Sequence, residues 1–223
     1  MGGKPIIALL GGTGDLGSGI TQILAVAGYR VLIGSRAKDK ARLAAQEMAA
    51  KIGAPVEGDD NRGAAGSADI VILCVPYANH DAIVEEIKPV MAGKILVDAV
   101  VPLVPPKVSL VQLPAAGSPA LVAQRILGPE VRVAAAFHNV GAKKLHGGER
   151  ADCDVLVFAD DVAVRQQIVE LANLIATRGV EAGALANAVA AEALTSVLIA
   201  INRRYKIPGA GIRITGLPPD ESR

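Results

Sequence analysis

The chain has 223 residues, 23 of them Lys or Arg and 22 Asp or Glu, for a formal net charge of +1. That balance gives no broad positive field to recruit nucleic acid, and the length suits one domain, or one with a small appendage. Hydrophobic residues make up 51% but aromatics only 2%, with no Trp, so the core is expected to be aliphatic.

The N-terminus runs directly into an apolar stretch, 6–10, read as the first strand, with no secretory leader ahead of it. No stretch reads as long and uncharged enough to span a bilayer. Cys74 and Cys153 are too far apart for a metal pattern. A cytoplasmic protein using neither metal nor membrane is expected.

Gly12-Thr13-Gly14-Asp15-Leu16-Gly17 follows this strand and opens an amphipathic segment, 20–27. Gly12 is read as permitting the tight turn, Gly14 as leaving the backbone bare for a pyrophosphate, and Gly17 as letting helix pack on strand. A helix start carries unpaired N–H groups and a partial positive charge that suit a phosphate. The strand before and the helix after distinguish a dinucleotide site from an ordinary turn.

A second apolar run, 31–33, leads into Gly34-Ser35-Arg36. NAD sites place an acid at this strand end for the ribose hydroxyls. Here Ser35 can donate to a phosphate, and Arg36 can pair with it through its planar fork. Lys40 lies one helical turn beyond. Basic residues at a helix start oppose the dipole, so Arg36, Lys38 and Lys40 are read as facing an anion. NADP(H) is expected over NAD(H).

Further along, 68–75 reads as a buried strand stopped by Pro76, then a helix over 81–91 and a strand over 95–97. The proline-rich segment 100–119 is expected to be irregular, followed by a helix over 120–127 and a strand over 131–136. Strand–helix alternation implies a doubly wound parallel sheet, a Rossmann α/β fold, over residues 1–142. The rhythm changes after Phe137-His138-Asn139. Residues 143–223 are expected to form a small C-terminal α/β domain: a loop at 143–150, a strand at 155–158, a helix over 162–177 capped by Asp160-Asp161, a connection at 181–183 and a long apolar helix over 187–205. Such a helix suits a buried position between domains or subunits. The tail, 218–223, is expected to fray.

Ligands of open parallel sheets bind beyond the strand carboxyl ends. The candidates are therefore 12–16, Ser35-Arg36, Val75-Pro76-Tyr77, 99–102 and 137–142. No Ser–His–Asp set, carboxylate pair or metal cluster is visible there. Hydride transfer between two rings needs stacking and exclusion of water more than an acid or base. His138 is the one histidine in the inferred cleft, read either as a hydrogen-bonding group for a ring carbonyl or as a strand-end cap. Tyr77 either flanks the nicotinamide or covers the sheet edge. Arg203, Arg204, Lys206 and Arg213, with Lys143 and Lys144, either hold an anionic tail of a second ligand or complement a helix dipole.

Residues 9–17, Gly34-Ser35-Arg36, Val75-Pro76, Phe137-His138-Asn139 and Gly209-Ala210-Gly211-Ile212 resemble the NADPH-dependent F420 reductases, or F420H2:NADP oxidoreductases. The resemblance spans nearly the whole chain. It implies reversible hydride transfer between NADP(H) and the deazaflavin coenzyme F420. By that resemblance Thr13, Gly14, Asp15 and Leu16 contact the pyrophosphate, and Ser35, Arg36 and Lys40 the 2′-phosphate. Val75, Val101 and Ala142 line the nicotinamide. His138, Asn139, Val140 and the Ala210 region border the deazaflavin. Tyr77 stands where archaeal members often carry Trp. The alternatives are an NADPH-dependent reductase of a flavin or other small acceptor, and a non-catalytic NADP(H) sensor. A homo-oligomer is expected, with the long apolar helix as its interface.

Overall fold

The computed structural model describes residues 3–145 and 147–217. The expected frayed tail lies outside the described residues. Among the described residues fifteen strands and α-helices follow one another: β1 (Ile7–Leu10), α1 (Asp15–Val26), β2 (Val31–Ser35), α2 (Lys38–Ile52), β3 (Glu57–Asp60), α3 (Asn61–Ser67), β4 (Ile70–Leu73), α4 (His80–Ile87), β5 (Ile95–Asp98), α5 (Pro119–Leu127), β6 (Arg132–Ala135), β7 (Ala151–Ala159), α6 (Val162–Ile175), β8 (Ala176–Glu181) and α7 (Ala188–Tyr205). The sheet order is β3-β2-β1-β4-β5-β6-β7-β8. Strands β3 to β6 are parallel, β7 runs antiparallel to β6, and β8 runs parallel to β7. The order reverses between β1 and β4, which opens a crevice at their carboxyl ends.

Helices cover both faces of the sheet, which is why the central strands β1 and β4 read as unbroken apolar runs. Ile7 and Leu9 of β1 face Ile20 and Leu24 of α1, on the side that also receives Leu171 and Ile175 of α6. Ala8 and Leu10 face the other way, into a cluster with Ala64 of α3, Ile83 and Ile87 of α4, and Ala123 of α5. Each fully buried Leu or Ile contributes about 1.5–3 kcal/mol.

Two elements of the N-terminal part were not legible as a pattern. β3 is Glu57-Gly58-Asp59-Asp60, without an apolar residue. It is a strand because it pairs with β2, Ser35 opposite Asp60. Gly58 lets the α2 backbone at Ala41 lie against it, where any side chain would collide. The short α3 follows, its first turn capped by Asp60 accepting from the Gly63 N–H at 2.7 Å.

In the C-terminal part, the helix expected over 162–177 ends at Ile175, and β8 begins at once. Pairing with β7 overrides the helical pattern there. The sheet therefore continues across residue 142 through the β6–β7 pair.

The span Leu185–Tyr205 has a mean hydropathy of 1.5 and is long and apolar enough, by length and composition alone, to cross a membrane. This corrects the expectation that no stretch qualifies. Three of its polar side chains are tied to other parts of the fold. Glu192 receives bonds from α5, Thr195 donates to the His138 carbonyl, and Asn202 accepts from Ala210.

Candidate active site at the strand ends

The turn after β1 uses its glycines differently from the first expectation. The left-handed residue is Gly11, at φ 82°, not Gly12. A Cβ at Gly11 would also sit 2.7 Å from the Cys74 carbonyl oxygen. Gly14 precedes α1 as its cap residue, and no side chain caps the helix. A Cβ there would meet only the Gly11 oxygen at 3.4 Å, so the protein itself does not demand glycine. A bare backbone beside an uncapped helix start is what a pyrophosphate requires. At Gly17 a Cβ would lie 2.5 Å from the Gly11 oxygen and 2.8 Å from Gly12 Cα, so this glycine seats the helix on the turn. Leu16 turns its side chain into the core, which leaves only its backbone for a phosphate.

A cleft of about 230 Å³ opens here, lined by Gly11, Thr13, Gly14, Gly34, Ser35, Arg36, Asn61, Val75, Pro76, Asn79 and Ile83. It joins the glycine turn, the end of β2 and the end of β4, as the sequence predicts. Asn61, Asn79 and Ile83 were missed. Asn61 sits on the unrecognised α3, while Asn79 and Ile83 belong to the entry of α4. Among the described residues the side chains of Arg36 and Lys40 make no hydrogen bond or ion pair, and both residues are exposed. Lys38 differs, because its ammonium pairs with Asp59 at 2.5 Å. That hydrogen bond holds the Asp59 carboxyl below its usual range despite partial burial. The acids at the end of β3 are thus occupied, Asp59 by Lys38 and Asp60 by α3. Arg36 remains for an anion, and the Ser35 hydroxyl, which accepts from the Ala37 N–H at 3.5 Å, keeps its proton to donate.

Behind the cleft lies a set of ionisable groups absent from the sequence reading. His80, the first residue of α4, is fully buried. Its Nε2 is 2.7 Å from Asp98 Oδ2, and its Nδ1 is 2.6 Å from Asp81 Oδ1. Burial opposes charge on the ring, but Asp98 and Asp81 outweigh it and raise His80 to about 9. The other Asp98 oxygen accepts from the Val100 N–H at 2.9 Å. The pair therefore ties the loop after β4 to the loop after β5, which carries Val101. Glu192 of α7 approaches the same group. Its Oε1 accepts from the Ser118 hydroxyl at 2.7 Å and the Ala120 N–H at 3.3 Å. Burial, only partly offset by these donors, raises its carboxyl to about 7. His138 is thus not the one histidine near the strand ends. Sequence reasoning missed His80 because it opens a helix rather than following a strand.

His138 is 4% exposed. Burial lowers it to about 4, against the opposing pull of Asp98 and its backbone carbonyl, so the ring is neutral at pH 7. Neither ring nitrogen completes a hydrogen bond among the described residues. A buried polar group without a partner carries a free-energy cost, and a ligand atom would relieve it. Asn139 is differently employed, its Nδ2 donating to the Asp154 carbonyl at 2.7 Å. Val140 is 9% exposed and packs into the core. Ala142 opens a single helical turn, Ala142–Leu145, whose Leu145 is buried against α1 at Gly19. Gly209 packs on Gly141, so the C-terminal segment carrying Ala210 lies beside the His138 loop. Val75 and Tyr77 are partly buried against the α4 side of the sheet. Tyr77, Val101, Ala142, His138, Asn139, Val140 and Ala210 all lie outside the lining of the cleft itself.

A family model described as NADP oxidoreductase, coenzyme F420-dependent, matches residues 6–102, from β1 to the loop after β5. A protein of Methanothermobacter thermautotrophicus named F420-dependent NADP reductase is 41% identical to this chain, over 96% of it and 97% of the relative. One of the same name from Methanocaldococcus jannaschii is 38% identical, over 95% of this chain and 98% of its own length. The chain belongs to the F420-dependent NADP reductase family. Among solved structures, one from Arthrobacter sp. FB24, assigned as an F420-dependent NADP reductase, matches with a TM-score of 0.79 at 26% identity, over 95% of this chain and 100% of that one. The F420-dependent NADP reductase likeness thus covers the C-terminal segment as well as the glycine turn.

Proposed function

We propose that this chain catalyses the reversible reaction F420H2 + NADP⁺ ⇌ F420 + NADPH + H⁺. The observation that carries the reading is the uncapped glycine turn joined in one cleft to Ser35 and Arg36, with the Arg36 side chain unpaired among the described residues. The bare backbone at Gly12, Thr13, Gly14 and Asp15 would hold the pyrophosphate. Ser35, Arg36 and Lys40 would hold the 2′-phosphate and select NADP(H). Val75, Pro76, Tyr77, Val101 and Ala142 would wall the nicotinamide and exclude water. The His138 loop and the Ala210 segment would border the deazaflavin.

Together the two substrates supply the hydride chemistry, one ring donating and the other accepting. The chain's work is to hold them and keep water out. Neutral His138 has one donor and one acceptor nitrogen to orient the second substrate. We assign residues 1–142 to NADP(H) and residues 143–223 to completing the deazaflavin site. We further propose a cytoplasmic enzyme that self-associates through the exposed side of α7, where Val197 is 44% and Tyr205 70% exposed.

Purified protein mixed with reduced deazaflavin and NADP⁺ should restore the oxidised deazaflavin absorbance band as NADPH forms. Absence of turnover in both directions would reject the assignment.

A further inference from the structure

After α7 the chain reverses through Lys206, whose left-handed conformation (φ 54°) ends the helix. It then runs back along β7 as a strap. The strap is fastened near α7 and again along β7, where Arg213 also pairs with Asp152. Near α7, the Ala210 N–H donates to Asn202 Oδ1 at 2.6 Å. Farther on it meets Asp154, which is fully buried in β7. The Asp154 N–H donates to the Ile212 carbonyl at 2.8 Å, and Asp154 Oδ2 accepts from the Ile214 N–H at 2.7 Å. The same oxygen accepts from Arg178 at 2.7 Å, and Arg178 also reaches the Ile214 carbonyl at 3.3 Å. Gly211 fits only because it lacks a side chain, since a Cβ would sit 2.6 Å from Cys153 Cβ.

Asp154 holds the opposite wall too, through the bond from Asn139 to its carbonyl. One buried residue therefore fixes both the loop that carries His138 and the strap that carries Gly209 and Ala210. None of this touches the glycine turn or Arg36. A buried carboxyl with two charge-assisted or backbone partners in one strand is costly to maintain, and a terminal strap could be packed with apolar residues instead.

We propose that Asp154, with Asn202 at the other fastening, is a positioning residue for the second substrate, holding the strap so that Gly209 and Ala210 close against Gly141. This rests on the reading that Ala210 borders the deazaflavin. Asp154→Asn should raise KM for the deazaflavin about tenfold or more, the loss expected when one charge-assisted bond is weakened. KM for NADP(H) should stay within about twofold, because its cleft is untouched.

Limited trypsin digestion gives a readout independent of turnover: cleavage after Lys206 should be several-fold faster in Asp154→Asn than in the parent. If Asp154→Asn does not fold, Asn202→Ala loosens the same strap from its other end and should show both effects. Equal rises in the two KM values, or unchanged KM and unchanged cleavage, would overturn the proposal. Faster cleavage in Asp154→Asn, with a parent protein that never turns over the deazaflavin, would instead reject the substrate reading while leaving Asp154 as the fastening of the strap.

Discussion

On the proposed reading Arg36 selects the cofactor, because the neighbouring charges are already spoken for. Lys38 is tied to Asp59, and Asp60 caps α3, so Arg36 is the planar cation left at the end of β2. A hydrogen bond to a charged group contributes about 1.5–3 kcal/mol. Arg36→Ala should therefore lower kcat/KM for NADP⁺ by about ten- to hundredfold and leave that for NAD⁺ nearly unchanged. Steady-state kinetics with both nucleotides checks this, and equal losses would remove the 2′-phosphate assignment. Arg36 and Ser35 were readable in sequence because they directly follow an apolar run. The partner of Lys38 was not, since Asp59 is distant in sequence and belongs to a strand without hydrophobic residues.

Among the elements, α1 owes its seat to one missing methyl group. At Gly17 an added Cβ meets only backbone, the Gly11 oxygen and Gly12 Cα, and backbone cannot swing aside. Gly17→Ala should cost about 1–3 kcal/mol of stability through overpacking and weaken NADP(H) binding as the turn shifts. Gly66→Ala in α3 is the contrast. Its Cβ would make ordinary contact with Val90 at 3.7 Å, so helix propensity should make it neutral or up to about 1 kcal/mol stabilising. Thermal unfolding of both variants and nucleotide titration of the first test the pair. The glycine spacing announced the turn, but not which glycine needed positive φ. The end of α6 was misplaced for a related reason: nothing local marks Ala176 as the start of a strand, and only the edge of β7 makes it one.

Across the whole molecule, three buried ionisable groups set the response to pH. His80 has a raised pKa of about 9, so its stabilising contribution is complete below about pH 6.5 and lost as pH rises through 9. Glu192, raised to about 7, destabilises progressively as pH rises from about 4.5 to 7. His138, lowered to about 4, destabilises as pH falls from about 6.5 towards 4. The melting temperature of the parent should therefore fall between pH 6.5 and 9. The double variant His80→Gln/Asp98→Asn, which replaces the charged pair with neutral groups, should be flatter over that window. An equal slope in the two proteins would show that the pair does not carry the dependence.

The sequence by itself determined the alternating α/β chain, the glycine turn between β1 and α1 and the basic end of β2. Each of these is written in contiguous residues, as an apolar run, a glycine spacing or the residue that follows a strand. Tertiary structure alone decided that Asp98 faces His80, that Glu192 reaches α5, and that Asp154 fastens a strap sixty residues later in the chain. Those contacts join distant segments, and the cost of burying an ionisable group is met only where the fold brings its partner.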